Sequence, residues 1–201
     1  SPPVVIAGSG RGGTTWILEL MCSDSRYRLV FEPLHELKVP ESAPFSYGYY
    51  PAGYMAEEAD EFFHRVFSGQ LNNDWTRSKP WIGEDQSILS HKCQLLQHHV
   101  KDFKSRIVSD RLAVKFIRGN LMLPWYQDRF GATVLLVTRS PFDICSSMVR
   151  TGWFENHLEF GFSRYLSQQA LVQDHLAEHI EWMKLVDDPL ERAAIMWVVE
   201  N

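Results

Sequence analysis

A glycine-rich segment near the start of the chain has the residue types and the order of a phosphate-binding loop. The apolar run Val4–Ala7 is followed by Gly8-Ser9-Gly10-Arg11-Gly12-Gly13, and then by Thr14 and Thr15 at the start of a predicted helix. Glycines let a backbone approach a phosphate closely, and the first amide groups of a helix point toward it. The helix dipole adds a favourable potential for negative charge. The segment therefore predicts a site for a phosphate-bearing ligand.

The loop differs from the P-loop of nucleoside-triphosphate enzymes at one informative position. Gly8 and Gly13 have the P-loop spacing, but Thr14 stands where that motif has its lysine. In those enzymes the lysine contacts the β- and γ-phosphates. Here the only cation of the loop is Arg11. This weakens an ATP-hydrolysing interpretation and leaves open a nucleotide that carries another transferable group. A plain glycine-rich turn is the structural alternative.

A second strand-to-helix junction lies between positions 132 and 147. The apolar run 132–138 leads to Arg139, and Ser140-Pro141 marks the start of a helix that carries Ser147 about two turns later. A guanidinium at the end of a strand can make paired contacts with phosphate oxygens. Taken alone, Arg139 reads as an ordinary surface arginine and Ser147 as a small residue at a helix contact. The first loop is what makes a second anion site the better interpretation.

These motifs together resemble those of sulfotransferases. Arg11-Gly12-Gly13-Thr14-Thr15-Trp16 looks like the family's 5′-phosphosulfate loop, and Arg139 with Ser147 looks like its 3′-phosphate site. Phe31-Glu32-Pro33-Leu34 and the run 113–118 are most similar to the carbohydrate sulfotransferase branch. The resemblance covers about the first 150 residues. It implies 3′-phosphoadenosine 5′-phosphosulfate (PAPS) as donor, 3′-phosphoadenosine 5′-phosphate (PAP) as product, and no metal.

The resemblance assigns roles to the residues of the first loop. The amide groups from Gly12 to Thr15, the hydroxyls of Thr14 and Thr15 and the Arg11 guanidinium are expected to hold the donor and to stabilise its leaving phosphate. Arg11 is the catalytic candidate among them, with a solvated loop arginine as the alternative. Trp16 is placed against the adenine, with core packing as the alternative.

Glu32 is the predicted general base. It follows a predicted strand, precedes a proline, and carries a carboxylate that is deprotonated at neutral pH. The alternative is a structural ion pair with Arg11 or Arg118. His35 and Glu36 are the other residues near enough in sequence to take the acceptor proton.

Two further groups of residues carry less information. Lys115 and Arg118 match the family pattern. We expect them to offset the negative charge either of a sulfate or phosphate group or of neighbouring carboxylates. Ile117 stands where the small-molecule branch has its catalytic histidine, a departure from that branch. His91, His98 and His99 lack a metal-binding spacing and are expected on a solvated helix face.

The elements that must position these residues alternate between strand and helix. We expect strands at 27–31, 112–117 and 132–138, the last an interior strand. We expect helices at 14–22, 57–67, 88–100, 120–130 and from Pro141, a long helix with a Val172, Leu176, Ile180 and Met183 stripe, and a last helix opened by Asp188-Pro189. This order predicts an α/β three-layer sandwich with a central parallel sheet, of the P-loop-like sulfotransferase type. In such sheets ligands bind at the carboxyl ends of the strands, where Gly8, Glu32 and Arg139 are expected to meet.

Length and composition are those of one globular domain. The chain has 201 residues, of which 45% are hydrophobic, and a net charge of −5 that argues against nonspecific nucleic-acid binding. No apolar run is long enough to span a bilayer. Three widely spaced cysteines favour a reducing compartment, hence the cytoplasm, with the Golgi lumen as the alternative if a membrane anchor is absent from this sequence. We expect residues 1–201 to form a single sulfotransferase-like domain that is incomplete at its C-terminus.

The sequence leaves the acceptor and two other functions open. The acceptor is a hydroxyl of a small molecule or of a carbohydrate. The aromatic residues of the loop 38–54, together with Trp153 and Phe154, are the candidates to line the acceptor pocket. The alternative functions are a P-loop kinase that uses ATP and a nucleotide-binding module without catalysis. The sequence does not indicate an oligomeric state.

Overall fold

A four-stranded parallel sheet forms the centre of the computed structural model, which describes residues 1–71, 73–77, 103, 107–152 and 158–201. The strands are β1 (Val4–Ala7), β2 (Tyr27–Phe31), β3 (Arg111–Phe116) and β4 (Thr133–Leu136), and their order in the sheet is β2-β3-β1-β4. Ala7 pairs with Phe116 on one side and with Leu136 on the other. Because the strands end in register, the residues that follow them emerge at one edge.

The helices begin and end at residues that favour those positions. Proline occupies the first turn of three of them (Pro124, Pro141 and Pro189), and the side chain of Asp188 caps the last helix by accepting from the Glu191 amide at 2.9 Å. The helices are α1 (Thr14–Met21), α2 (Glu57–Phe67), α3 (Asp74–Arg77), α4 (Leu123–Phe130), α5 (Pro141–Arg150), α6 (Glu159–Ser167), α7 (Gln169–Leu171), α8 (Ile180–Lys184) and α9 (Pro189–Glu200), with 3₁₀ turns at Pro40–Ser42 and Asn120–Met122.

The sheet is covered by helices on both faces. Val5 and Val114 point to one face and pack with Phe63 of α2 and Trp125 of α4. Alternate residues of a strand point to opposite faces, so Ile6 lies on the other one, where it packs with Leu18 of α1 and Phe31 of β2. The molecule is therefore an α/β fold whose layers are compatible with a three-layer sandwich.

A second apolar cluster joins the helices that follow β4. Ile144 and Met148 of α5, Phe162 of α6 and Met196 of α9 are all buried in it. Tyr47, from the long segment between β2 and α2, is buried in the same cluster. This cluster attaches α9 to the rest of the fold beside the carboxyl edge of the sheet.

Most of the strand and helix predictions are confirmed within a residue or two. The segments 27–31 and 57–67 have the predicted bounds, and α1, β3, α5 and α9 begin where expected or one residue away. The predicted helix 120–130 opens with a 3₁₀ turn before α4. The segment 38–54 contains only a short 3₁₀ turn, as expected for a loop.

The prediction of an interior strand at 132–138 is wrong for β4. This strand is shorter, pairs with β1 alone among the described strands, and leaves Leu135 42% and Leu136 38% exposed. An apolar run shows that a segment prefers a strand, but it does not show how many neighbours the strand has.

The predicted long helix with an apolar stripe is also wrong. A π-helical turn at Val172–Leu176 and a turn before α8 interrupt it. A π turn contains one more residue than an α-helical turn, so it rotates the side chains that follow it out of the predicted stripe. Leu176 and Met183 are buried, whereas Val172 and Ile180 are only half-buried.

Several expectations concern single residues or segments. Cys145 is buried, and Cys22 at the end of α1 is half-buried. Cys93, the predicted helix 88–100, the three histidines at 91, 98 and 99, and Trp153 and Phe154 lie outside the described residues. In the described part of the chain, no helix has the length and apolar character needed to cross a membrane.

Candidate functional site

The glycine-rich loop between β1 and α1 has the backbone geometry of an anion cradle. The Gly12 amide donates to the Ser9 carbonyl at 3.0 Å, and Arg11 and Gly13 adopt left-handed conformations with φ of 67° and 96°. A Cβ atom on Gly8 would lie 2.4 Å from the Val137 carbonyl oxygen, which excludes any side chain there. The loop therefore needs glycine at Gly8 and Gly13 to keep its shape.

The start of α1 is open to an anion. Gly13 is the N-cap, and among the described residues no side chain caps the helix or places an acid in its first turn. The first amide groups of a helix have no acceptor within the helix. The Trp16 amide donates to the Gly13 carbonyl at 3.0 Å, so the amide groups of Thr14 and Thr15 are the ones available to an external anion. The helix dipole favours negative charge at the same point.

Arg11 and Ser147 bring the two predicted anion sites together. Arg11 donates from Nε to Ser147 Oγ at 3.1 Å, although the two residues are 136 positions apart. Ser147 is buried at 5% exposure, while Arg11 lies at the surface. The loop and helix α5 therefore border one crevice.

The remaining predicted nucleotide-site residues differ in exposure. Trp16 is 66% exposed, which excludes the core-packing alternative. Thr14 is buried behind the loop, and Thr15 accepts a hydrogen bond from Lys115 Nζ at 2.8 Å. The side chain of Arg139 is 47% exposed and its Nε lies 3.5 Å from an oxygen of Asp143, a surface pair that leaves the guanidinium accessible.

Glu32 lies in a buried ionic cluster on the side of the loop opposite Arg139. Its Oε1 is 2.5 Å from Lys115 Nζ, and its Oε2 is 3.5 Å from an Arg118 nitrogen. All three side chains are less than one-tenth exposed. A buried carboxylate needs such partners, because desolvation otherwise makes its charge costly. The ion pair with Arg118, which is the structural alternative to a catalytic role for Glu32, is present, and the second cation is Lys115 rather than Arg11.

The two other candidate bases have different surroundings. Glu36 pairs with Arg118 at 3.3 Å and accepts from the Ser46 hydroxyl at 3.2 Å. His35 is buried, and its ring meets the Trp75 ring edge-on, with 4.7 Å between the ring centroids. The cluster of Glu32, Glu36, Lys115 and Arg118 contains two acids and two bases and is close to neutral.

Backbone strain is concentrated around this crevice. The non-glycine residues with positive φ in the described chain are Arg11, Glu32 and Tyr47. The Tyr47 amide donates to the Arg118 carbonyl at 2.8 Å, and its ring lies 5.8 Å from the Arg118 guanidinium carbon. Burial raises the pKa of the Tyr47 phenol well above its usual range. Left-handed conformations of ordinary residues cost free energy and persist mainly at functional sites.

The order of the strands gives the site two sides. The loop follows β1, which lies between β3 and β4. Lys115 lies on β3, Arg118 follows β3 and Glu32 follows β2, so these three residues lie on one flank of the loop, whereas Arg139 after β4 lies on the other. The loop therefore lies between the exposed Arg139 side chain on one flank and the buried ionic cluster on the other.

Helix α9 contributes contacts that the sequence did not predict. The Trp197 indole donates to the Arg139 carbonyl at 3.0 Å, and the Asn201 amide donates to Ser9 Oγ at 3.0 Å. Glu200 is buried between them, and this burial raises its pKa to about 7. The sequence signals available were an acid at the end of an apolar helix and the i, i+4 spacing of Trp197 and Asn201.

A small cavity lies beside the loop. It has a volume of about 20 Å³ and is lined by Ser9, Gly10, Tyr47 and Glu200 together with apolar side chains of α5 and α9. That space admits one water molecule and no larger ligand. The described residues contain no group of three or more His, Cys, Asp or Glu side chains placed to hold a metal ion.

Comparisons with protein-family models, with curated proteins and with solved structures gave no match for this chain.

Proposed function

We propose that this chain is a PAPS-dependent sulfotransferase with a P-loop-like nucleotide-binding fold, which transfers a sulfuryl group to a hydroxyl acceptor. The observation that carries the proposal is the hydrogen bond from Arg11 to Ser147. It brings the loop assigned to the 5′-phosphosulfate and the helix assigned to the 3′-phosphate to one crevice. A single adenosine nucleotide with phosphates at both ends is the ligand class that such paired anion sites select.

The proposed chemistry is an in-line transfer. The acceptor oxygen forms a bond to sulfur, the bond from sulfur to the 5′-phosphate oxygen breaks with its electron pair leaving on that oxygen, and the acceptor loses a proton. The Arg11 guanidinium and the open amide groups of α1 stabilise the charge that develops on the leaving phosphate. Contacts of this kind accelerate the reaction when they strengthen as that charge grows.

Glu32 takes the acceptor proton in this proposal. Two features support the assignment: it lies on the flank of the loop opposite Arg139, and its φ of 38° is strained. Lys115 contacts both Glu32 and Thr15, so it links the base to the phosphate loop. As Glu32 becomes protonated, its pull on Lys115 falls and the ammonium can serve the negative charge on the donor.

The acceptor is assigned only by chemical class. A carbohydrate hydroxyl is favoured by the resemblance of the segment from Phe31 to Leu34 and of the run 113–118 to the carbohydrate branch. The segment 38–54 borders the ionic cluster through the Tyr47–Arg118 hydrogen bond and is the proposed acceptor-side wall.

A transfer assay tests this function. The protein is incubated with sulfur-labelled PAPS and a panel of sugar and phenol acceptors, and parallel reactions contain γ-labelled ATP. The proposal expects label transfer from PAPS and none from ATP. Transfer from ATP would establish a kinase instead. Binding of PAP without transfer to any acceptor would indicate a nucleotide-binding module.

A further inference from the structure

The last turn of α9 contacts both anion sites at once. Asn201 Nδ2 donates to Ser9 Oγ in the loop at 3.0 Å and to the Trp197 carbonyl at 2.9 Å. The Trp197 indole in turn donates to the Arg139 carbonyl at 3.0 Å. Because the two side chains are four residues apart, they lie on the same face of the helix. A continuous chain of hydrogen bonds therefore connects Ser9 with Arg139.

The loop end of this chain is buried. Ser9 is 3% exposed, and its hydroxyl lies close enough to the buried Glu200 carboxyl to lower the pKa of that carboxyl, against the larger effect of burial. Glu200 accepts a hydrogen bond from the Tyr165 hydroxyl at 3.0 Å. The Ser9 side chain is thus engaged by α9 rather than free for a ligand, while its carbonyl accepts from Gly12 and shapes the cradle.

The other end fixes a backbone and leaves a side chain free. The Trp197 indole hydrogen-bonds the backbone carbonyl of Arg139, and the Arg139 guanidinium stays half-exposed beside Asp143. Holding the backbone of a long side chain lowers the entropy that is lost when its head group binds a phosphate.

We propose that Trp197 and Asn201 are positioning residues that set the spacing between the two anion sites and thereby the selectivity for a 3′-phosphorylated nucleotide. This inference rests on the proposed function, because it needs one nucleotide to occupy both sites. It adds a determinant of specificity that touches neither phosphate.

The test uses the ratio of two affinities in the variant Trp197→Phe, which keeps a ring but removes the indole N–H. Calorimetry with PAP and with AMP measures how much the 3′-phosphate contributes. We expect the PAP-to-AMP ratio to fall about fivefold, the share of one net hydrogen bond. Trp182→Phe on α8 is the matched control, since Trp182 is 53% exposed. It should leave the ratio unchanged.

A second variant and a double mutant separate positioning from general damage. Asn201→Ala removes the hydrogen bond to Ser9 and should also lower the PAP-to-AMP ratio. It provides the test if Trp197→Phe does not fold. In an Arg139→Ala background, Trp197→Phe should have no further effect on the ratio, because the group it positions is gone.

The outcomes distinguish this inference from the proposed function. A wild-type protein with no preference for PAP over AMP would overturn the function. A wild-type preference that survives unchanged in both Trp197→Phe and Asn201→Ala would overturn the positioning role alone. An equal loss for PAP and AMP would also overturn it, because that pattern reports damage to the fold.

Discussion

The Arg11 side chain reaches across the crevice and donates from Nε to the Ser147 hydroxyl at 3.1 Å. The contact joins a strained loop residue to a buried residue of α5. It holds the guanidinium close to the open start of α1 before any ligand binds. A cation preorganised in this way loses less conformational freedom when an anion arrives.

Replacing Arg11 tests its proposed role in stabilising the leaving phosphate. Arg11→Ala is expected to lower kcat for sulfuryl transfer about 100-fold, the usual effect of removing one stabilising donor. Ser147→Ala should lower kcat less at saturating PAPS, because it removes the hydrogen bond that orients the guanidinium and one contact assigned to the 3′-phosphate, but leaves the cation in place. In a double-mutant cycle the two losses should not add, since both act through the same side chain. Additive losses in the rate would contradict the arrangement.

Glu32→Gln tests the general base with little change of shape. Turnover is expected to fall about 100-fold or more while PAP still binds, because the amide cannot take the acceptor proton. Glu36→Gln is the matched control, as it pairs with the same Arg118 and should retain most activity. Steady-state kinetics at saturating PAPS measure both. Near-normal turnover of Glu32→Gln would remove it from this role, and a larger loss in Glu36→Gln would transfer the role to Glu36.

Gly8→Ala tests the close contact between the loop and β4. The added Cβ would lie 2.4 Å from a backbone oxygen of Val137, so the two segments must separate. We expect a loss of about 2 kcal/mol or more in the free energy of unfolding, measured with urea. Gly152→Ala provides a comparison, because Gly152 has a φ of 63° but open space around it. It should cost only about 1 kcal/mol. A smaller loss for Gly8→Ala than for Gly152→Ala would show that the contact is not tight.

Glu200 predicts a pH dependence of stability with a definite sign. Burial raises its pKa from 4.5 to about 7, so the folded protein binds this proton more tightly than the unfolded chain does. The contribution of this carboxyl to the free energy of unfolding is fully present below about pH 4.5 and is lost as the pH rises through about 7. The loss amounts to about 3 kcal/mol.

Glu200→Gln isolates this effect from other titrating groups. Its unfolding free energy relative to wild type should rise by about 3 kcal/mol between pH 4.5 and pH 8, because glutamine never acquires the buried charge. The exposed Glu181→Gln is the control and should show no such trend. A constant difference between Glu200→Gln and wild type across this range would exclude the raised pKa.

Local patterns predicted the elements but not their neighbours. The run Tyr27–Phe31 and the amphipathic segment Glu57–Phe67 have the bounds that periodicity indicates. The same kind of pattern placed the segment around Leu135 in the interior, and β4 instead lies at an edge of the described sheet. The interrupted helix near Val172 depends on a π turn that no residue type in the segment signals.

The candidate site shows the same division. The glycines of the loop, Arg139 and Glu32 were identifiable because each follows a strand, where parallel sheets place ligands. The pairings of Glu32 with Lys115 and of Arg11 with Ser147 were not predicted, since these partners lie 83 and 136 positions apart in the sequence. The contact between Asn201 and Ser9 joins residues 192 positions apart, and only packing brings them together.

The most direct test of the central claim is calorimetric titration of the wild type and of Arg139→Ala with PAP, AMP and ATP. Arg26→Ala serves as control, because Arg26 is also an exposed arginine paired with a nearby aspartate, at the opposite edge of the sheet. The account predicts that wild type and Arg26→Ala bind PAP more tightly than AMP or ATP, and that Arg139→Ala loses this preference while its affinity for AMP changes little. Tighter binding of ATP than of PAP by the wild type, or equal losses for PAP and AMP in Arg139→Ala, would contradict it.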